Sequence, residues 1–469
     1  MESLQNGVTL HKIGGGSAIK TSFIALTLHY LCSIMVSLNH SLRMLRLVRL
    51  LPIYILILCA AACHKEEAEA PDSAKPIPFA VPAAPGQRTV LVYMAAQNSL
   101  GHDDFHHDDS LEIVKGAEAL QEGQSLMLFI DDKAAPRLYA LRAGDKQPAL
   151  VKRWAEDANS TAVATLAAAL ELMKVYCPAE EYGLVMWSHA DGWLPPTESA
   201  EVTPLSFGID TGKNSLSTDN GTQMAVETIA RTIKVAGLRF RYIFFDACLM
   251  QSLEVAYALR EVTDLVIASP MAIPGAGAYY THQMRDGLFS VAPEDIVDIY
   301  LADVTDPERA YDYDDYGIVI SAVRTAALEP LAVALRTALP SSLAAGRRSA
   351  DLSAATNYHA YARKYYYRPH YYDAAEALTA LLPDEALRTP VLAALSQAVV
   401  RKAATPRYWI GPSDSAYQEV DLATYSGVSL FVPQDIYTRN AKFTPYGDLN
   451  LAFQKTEWYS AAGWAQTGW

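Results

Sequence analysis

Two apolar runs in this 469-residue chain stop on residues that can do chemistry. "YGLVMWSHADGW" ends a strand-like stretch on His189, and "RYIFFDACLMQSLEVAYAL" passes through Asp246 to Cys248 before a helical pattern begins, with no glycine or proline between. Cys248 follows His189 by 59 residues. If the two strands are neighbours in one sheet, the thiol and the imidazole meet above its edge as a nucleophile and a base. The thiolate is the reactive species, and a helix read as starting at Leu249 would aim free N–H groups at it and lower its pKa. The competing account is a buried cysteine acting as a small hydrophobe.

The elements that must position this pair follow from periodicity. "TVLVYMAA" (89–96) and "SLMLFIDD" (125–132) read as strands, with a helix around "DSLEIVKGAEAL" between them. "LYALRAG" and "ALVKRWAE" read as a hairpin, and "STAVATLAAALELMKVY" (160–176) as a helix capped by Ser160 or Thr161. Residues 194–220 read as an active-site type of loop with a short strand at "SFGID"; a helix at "TQMAVETIARTIKVAG" follows, and "DLVIASP" is a further strand after the cysteine. Strands and helices alternating this regularly predict an α/β fold with a mostly parallel sheet and helices on both faces. In such sheets ligands bind beyond the carboxyl ends of the strands, where His189 and Cys248 fall. Past residue 290 the pattern predicts a helix-rich part packed on the core, with clear strands at "VISAV" and "GVSLFVP".

The net charge is -14, and residues 1–62 carry +4 against the remainder. So acidic a body is a poor match to nucleic acid or to an anionic membrane surface. From Met44, "MLRLVRLLPIYILILCAAC" has two arginines, an apolar core and small residues before Cys63, the anatomy of an export signal with a relaxed lipobox. Residues 1–62 are therefore read as a signal region with its true start at Met44, or else as holding a short transmembrane helix in "FIALTLHYLCSIMVSL". Residues 63–87 read as a lipidated cysteine and a disordered tether, 88–290 as the core, and 291–469 as its C-terminal part. Of five cysteines only Cys177 and Cys248 fall in the globular part, which excludes a disulfide framework.

The blocks around His189 and Cys248 resemble the two signature segments of the clostripain family of cysteine peptidases, relatives of caspases, gingipains and legumain. "RTVLVYMAAQNSL", "VIASPMAIPGAGAYY", "SGVSLFVP" and "FQKTEWYSAAGW" follow that family's order, so the likeness spans roughly 88–469. The resemblance implies a caspase-like α/β/α sandwich and peptide-bond hydrolysis through a thioester. Cys248 would attack the carbonyl and His189 would protonate the leaving amine, with oxyanion donors among the N–H groups of Cys248, Ala190, Asp191 and Gly192. It further implies that Asp246, on the same strand face as Cys248, selects arginine or lysine before the cleaved bond, the other reading being a cap on local amides.

Two positions depart from the family pattern. Ala190 stands where glycine usually follows the histidine, so backbone strain is expected there. Ser269, placed with Asp246 at the substrate pocket, is followed by Pro270 where an acid is common, which weakens the basic preference. The expected protein is thus a lipid-anchored endopeptidase of the bacterial envelope acting on peptide or protein substrates; the alternative is a catalytically silent relative that binds at the surface. No cofactor is called for, although the resemblance admits calcium. "GHDDFHHDDS" (101–110) fits no standard metal loop and reads as a solvated turn, and "TDPERAYDYDDYG" offers four aspartates without a defined site. Arg88, in "GQR", and the basic residues of 212–241 are candidate points of self-cleavage.

Overall fold

The computed structural model describes residues 79–155, 158–194, 206–212, 219, 221–309, 316–343, 350–359, 370–409, 417–439, 441–443 and 447–469. The export signal, Cys63 and the tether as far as residue 78 lie outside them, as do Lys213 and three of the four aspartates of "TDPERAYDYDDYG". Among the described residues no helix is long and apolar enough to cross a membrane.

A nine-stranded sheet organises the described chain. Its strands are β1 (Gly86–Ala95), β2 (Gln124–Asp131), β3 (Arg137–Arg142), β4 (Ala149–Arg153), β5 (Ala179–Trp187), β8 (Tyr242–Asp246), β9 (Leu265–Ala268), β10 (Val319–Arg324) and β12 (Val399–Ala404). Their order is β12-β10-β9-β8-β5-β1-β2-β3-β4. The short strands β6 (Phe207–Asp210) and β7 (Thr222–Met224) form a separate hairpin, and β11 (Tyr372–Asp373) pairs with Ser429–Leu430. The five central strands β9-β8-β5-β1-β2 run parallel, with antiparallel pairs on both flanks. The expected hairpin is β3–β4. The sheet is continuous across residue 290, since β10 and β12 extend it beyond β9.

Successive side chains point to opposite faces, and each face is buried under helices. Leu91, Tyr93, Met186 and Phe245 pack beneath α2 (Val163–Tyr176), α3 (Val226–Val235), α4 (Leu253–Leu259) and α6 (Leu328–Leu343). Val90, Val92, Val185 and Phe244 pack beneath α1 (Phe105–Gly116) and α5 (Asp295–Thr305). This is the three-layer α/β/α arrangement read from the sequence.

Three local expectations are corrected. α2 begins at Val163 without a side-chain cap, because Ser160 Oγ donates to Asp210 (3.2 Å) and Thr161 Oγ1 to Asn159 (2.7 Å). "GHDDFHHDDS" is a solvated turn only in part: exposed Asp103 and left-handed Asp104 (φ 62°) turn the chain between the end of a short helix, Ser99–His102, and the first turns of α1. Its His106 and Asp109 are buried, His106 against Asp132 (2.9 Å), which Arg137 also grips, and Asp109 beneath the Trp187 indole (2.7 Å). The helix expected from Leu249 starts at Leu253, after Ser252 caps it.

At the carboxyl ends of β2 and β6, two buried carboxyls share one backbone donor. The Ser160 N–H reaches Asp210 Oδ2 at 2.6 Å and Asp131 Oδ2 at 3.2 Å. Burial first, then the neighbouring Asp210, pushes the Asp131 carboxyl up to about 9. Folded Asp131 therefore keeps a proton that the unfolded chain releases near pH ~4. Its contribution to stability is complete below that pH and is lost as the pH rises toward 9. Asp131→Asn, which keeps a neutral donor beside Asp210, should flatten the fall of melting temperature between pH 5 and 9 and exceed wild type by a few degrees at pH 9. Parallel melting curves for the two proteins would show that the fold does not hold Asp131 protonated.

Candidate active site

β8, β5 and β1 lie side by side, and their carboxyl ends build the site. Trp187 and Asp246 are register partners on parallel β5 and β8. His189 and Cys248 each follow two residues later, just past the carboxyl ends of these neighbouring strands. The third strand end is held by Asn98, which is wholly buried. Its Nδ2 donates to the carbonyls of Ala95 (2.8 Å) and Ile209 (2.9 Å) and reaches Ser188 Oγ (3.3 Å), while its Oδ1 accepts from the Leu100 N–H (3.0 Å) and caps the short helix Ser99–His102. One amide thus ties β1 to the residue before His189 and to β6.

Cys248 is partly exposed, and the chain turns sharply after it. Leu249 takes φ 62°, a left-handed conformation costing a β-carbon residue about 1–2 kcal/mol. Its N–H donates to the Met271 carbonyl (2.9 Å) and the Gln251 N–H to the Ser269 carbonyl (3.0 Å), while Gln251 Nε2 donates to the Ser321 carbonyl (2.6 Å). These bonds hold residues 249–252 out of the helical conformation and delay α4, so no helix N-terminus faces the thiol. Sγ instead accepts from the Ile273 N–H at 3.4 Å. Burial outweighs that bond, and with the charges of Asp191 and Asp246 nearby it pushes the thiol up to about 11.

His189 sits in a different set of contacts. Its Nε2 lies 2.9 Å from Ser99 Oγ and 3.5 Å from Asp219 Oδ1. Burial lowers the imidazole's pKa and Asp219 opposes this, so the ring is neutral near pH 7. Cys248 and His189 do not hydrogen-bond to each other: the thiol is turned to Ile273 and the ring to Ser99.

The segment after His189 bridges to β6. Gly208 N–H donates to the His189 carbonyl (2.9 Å) and Asp191 N–H to the Ser206 carbonyl (3.0 Å). Asp191's amide is thereby engaged, and the N–H groups outside this ladder are those of Ala190 and Gly192. Ala190 is not strained: its φ is negative, and the left-handed conformation falls at Gly192 (φ 68°). A β-carbon at 192 would lie 2.7 Å from Tyr371 Oη and 2.8 Å from the Leu249 carbonyl, so the glycine requirement expected at 190 sits two residues later. Tyr371 Oη donates to the Asp191 carbonyl, and Trp193 packs on Phe431 and Phe453, at 4.9 and 5.8 Å between rings.

Asp246 is buried under the 273–280 loop. Its Oδ2 accepts from the Ala278 N–H (3.1 Å) and Tyr280 Oη (2.8 Å), and its Oδ1 has no partner. Burial raises it to about 6 against those two bonds. Asp109 lies close enough that the Asp246 charge helps hold its own carboxyl well above the usual range, after burial. Ser269 is also buried, but its hydroxyl is engaged within its own turn, donating to the Met271 carbonyl and accepting from the Met271 N–H, both at 3.1 Å.

Sequence reasoning missed Asn98, Ser99, Asp219 and Tyr371, whose partners are distant in the chain; only the polar loop at 194–220 hinted at one of them. Arg88, offered as a cleavage point, is buried in β1 against Glu181 (2.6 Å) and the Ser290 carbonyl (2.5 Å) and is out of a protease's reach. Among the described residues no group of three or more His, Cys, Asp or Glu is placed to hold a metal ion.

The family model described as the clostripain family, peptidase family C11, matches residues 92–467. A secreted C11 cysteine protease from Bacteroides thetaiotaomicron, solved with an irreversible peptide inhibitor, is 27% identical and superimposes with a TM-score of 0.66 over 81% of this chain and 99% of its own. An inactive zymogen C11 protease from Parabacteroides distasonis is 26% identical, with a TM-score of 0.63 over the same shares. No curated protein matches the chain. With strand ends that present a thiol and an imidazole in adjacent register, and a match over most of its length, the chain belongs to the clostripain family of cysteine peptidases.

Proposed function

We propose that this cysteine peptidase is an endopeptidase that uses Cys248 as nucleophile and His189 as proton carrier, and that it prefers arginine or lysine before the cleaved bond. The observation that supports the reading is the parallel pairing of β5 and β8, whose neighbouring carboxyl ends lead into His189 and Cys248. In the resting state both groups are neutral. The imidazole is therefore able to take the thiol proton as Sγ bonds to the substrate carbonyl carbon. The charge moves to the carbonyl oxygen, for which the N–H groups of Cys248, Ala190 and Gly192 are the available donors. Collapse breaks the C–N bond, and the imidazolium returns its proton to the leaving amine. Water then adds to the thioester, giving one proton to His189 and regenerating the thiol as the acid departs.

Asp246 supports the substrate preference. A buried carboxylate with one unpartnered oxygen is costly, and a guanidinium or ammonium would relieve it. Entry requires the Gly277–Ala278 roof to move, because Gly277 packs directly on the carboxylate. With Pro270 in place of a second acid, the preference is retained but weakened. The export signature and Cys63 support a lipid-anchored protein of the envelope, in keeping with a relative that is secreted.

Cys248→Ala should fold normally and lose hydrolysis of fluorogenic peptides by at least about a thousandfold; a variant as active as wild type would remove the nucleophile assignment, and a wild type that binds peptides without cleaving them would favour the silent relative. In the free enzyme, alkylation of Cys248 should quicken about tenfold per pH unit from 7 toward 10, since the raised thiol ionises only at the alkaline end. A plateau already reached at pH 6 would mean a preformed ion pair instead.

Arginyl and lysyl peptides should be cleaved about tenfold better than neutral ones, and Asp246→Asn should erase that ranking at a cost of about 1.4 kcal/mol in kcat/KM for the basic substrates. A neutral peptide cleaved best by wild type would displace Asp246 from the pocket. For location, the full chain expressed in a bacterium with a lipoprotein pathway should partition into detergent, and Cys63→Ser should release it or leave the precursor uncut; a wild-type product starting well after residue 63 would contradict the anchor.

A further inference from the structure

We propose that Ser99 and Asp219 are positioning residues that fix the tautomer of His189 and stabilise its imidazolium. This inference rests on the assignment of His189 as proton carrier, and its geometry is independent of that assignment. Ser99 opens the short helix Ser99–His102 beyond β1, next to the Asn98 staple, and Asp219 comes from the segment between β6 and β7. The Ser99 N–H donates to Asp219 Oδ1 at 2.9 Å and its hydroxyl lies 3.0 Å from Asp219 Oδ2.

A carboxylate can only accept, so the single hydroxyl proton of Ser99 goes to Asp219. Ser99 Oγ is left as an acceptor toward His189 Nε2 at 2.9 Å, and Nε2 must carry the proton. The lone pair is thereby placed on Nδ1, the atom free to receive the thiol proton. When it does, the new positive charge is met by the Asp219 carboxylate 3.5 Å from Nε2. His189 and Asp219 side chains are each only about a quarter exposed, so solvent screens the pair weakly. No proton passes along the Ser99–Asp219 contact; the pair holds the ring and its charge, as a carboxylate does behind many reactive imidazoles.

The proposal separates from a structural role by titration. In the full chain carrying Cys248→Ala, the His189 ring signals are assigned by their loss in His189→Gln and followed by nitrogen NMR. With Ser99 and Asp219 intact, the neutral ring should show Nε2 protonated. Asp219→Asn should lower the titration midpoint by about one pH unit, as loss of a nearby opposite charge does. Ser99→Ala should mix the tautomers. In the Cys248 enzyme, Asp219→Asn should reduce kcat by about 10–100-fold with KM little changed, and Ser99→Thr should keep most of the activity that Ser99→Ala loses.

An unchanged midpoint together with unchanged kcat in Asp219→Asn overturns the proposal, as does a ring protonated on Nδ1 in the parent. If Ser99→Ala does not fold, Asp219→Asn decides alone, its melting temperature serving as the folding control. If the wild-type chain cleaves no peptide, the peptidase mechanism fails while the titration still decides whether Asp219 and Ser99 govern His189.

Discussion

The parallel register of β5 on β8 is the constraint on which the rest of the site depends. A slip of one residue would turn every side chain of a strand to the opposite face, burying His189 or Cys248 in the wrong layer. Because both faces of the sheet are packed with apolar side chains, such a slip would expose Phe245 or Met186 to the other layer's geometry, and the core itself therefore enforces the pairing. The chemistry inherits its alignment from hydrophobic burial, and the polar devices beyond the strand ends, Asn98 and the Gln251 contacts, only finish what the register begins.

Neutrality is the second organising feature. Thiol, imidazole and the Asp131 carboxyl all sit where burial disfavours charge, and each is shifted toward its uncharged form. Asp246 is raised for the same reason yet keeps an unpartnered oxygen. The same burial that quietens the nucleophile at rest would strengthen every charge–charge contact made once a substrate excludes water.

Much of this was legible in the sequence where the signal is local. Apolar runs that stop at an acid or a histidine marked the ends of β5 and β8, and the alternation of strands with helices marked the layers. What escaped was non-local. "LMQSLEVAYAL" has helical periodicity from its first residue, but Leu249 is held left-handed and Gln251 reaches Ser321 on β10, 70 positions away, so the helix starts late. The glycine requirement lies at 192 because Tyr371 and the Leu249 carbonyl close in there, and neither is near in sequence. His106 and Asp109 look like solvated charges until β2 and β5 supply Asp132 and Trp187. Ser99 and Asp219 are 120 residues apart and find each other only through the fold.

The loop that follows His189 is secured by residues made much later: Tyr371 on the Asp191 carbonyl, and Phe431 and Phe453 around Trp193. A chain still emerging from the ribosome carries both His189 and Cys248 long before these anchors exist. Domains generally fold as units. The contacts that pin the segment after His189 therefore close only when the last quarter of the chain packs onto the sheet.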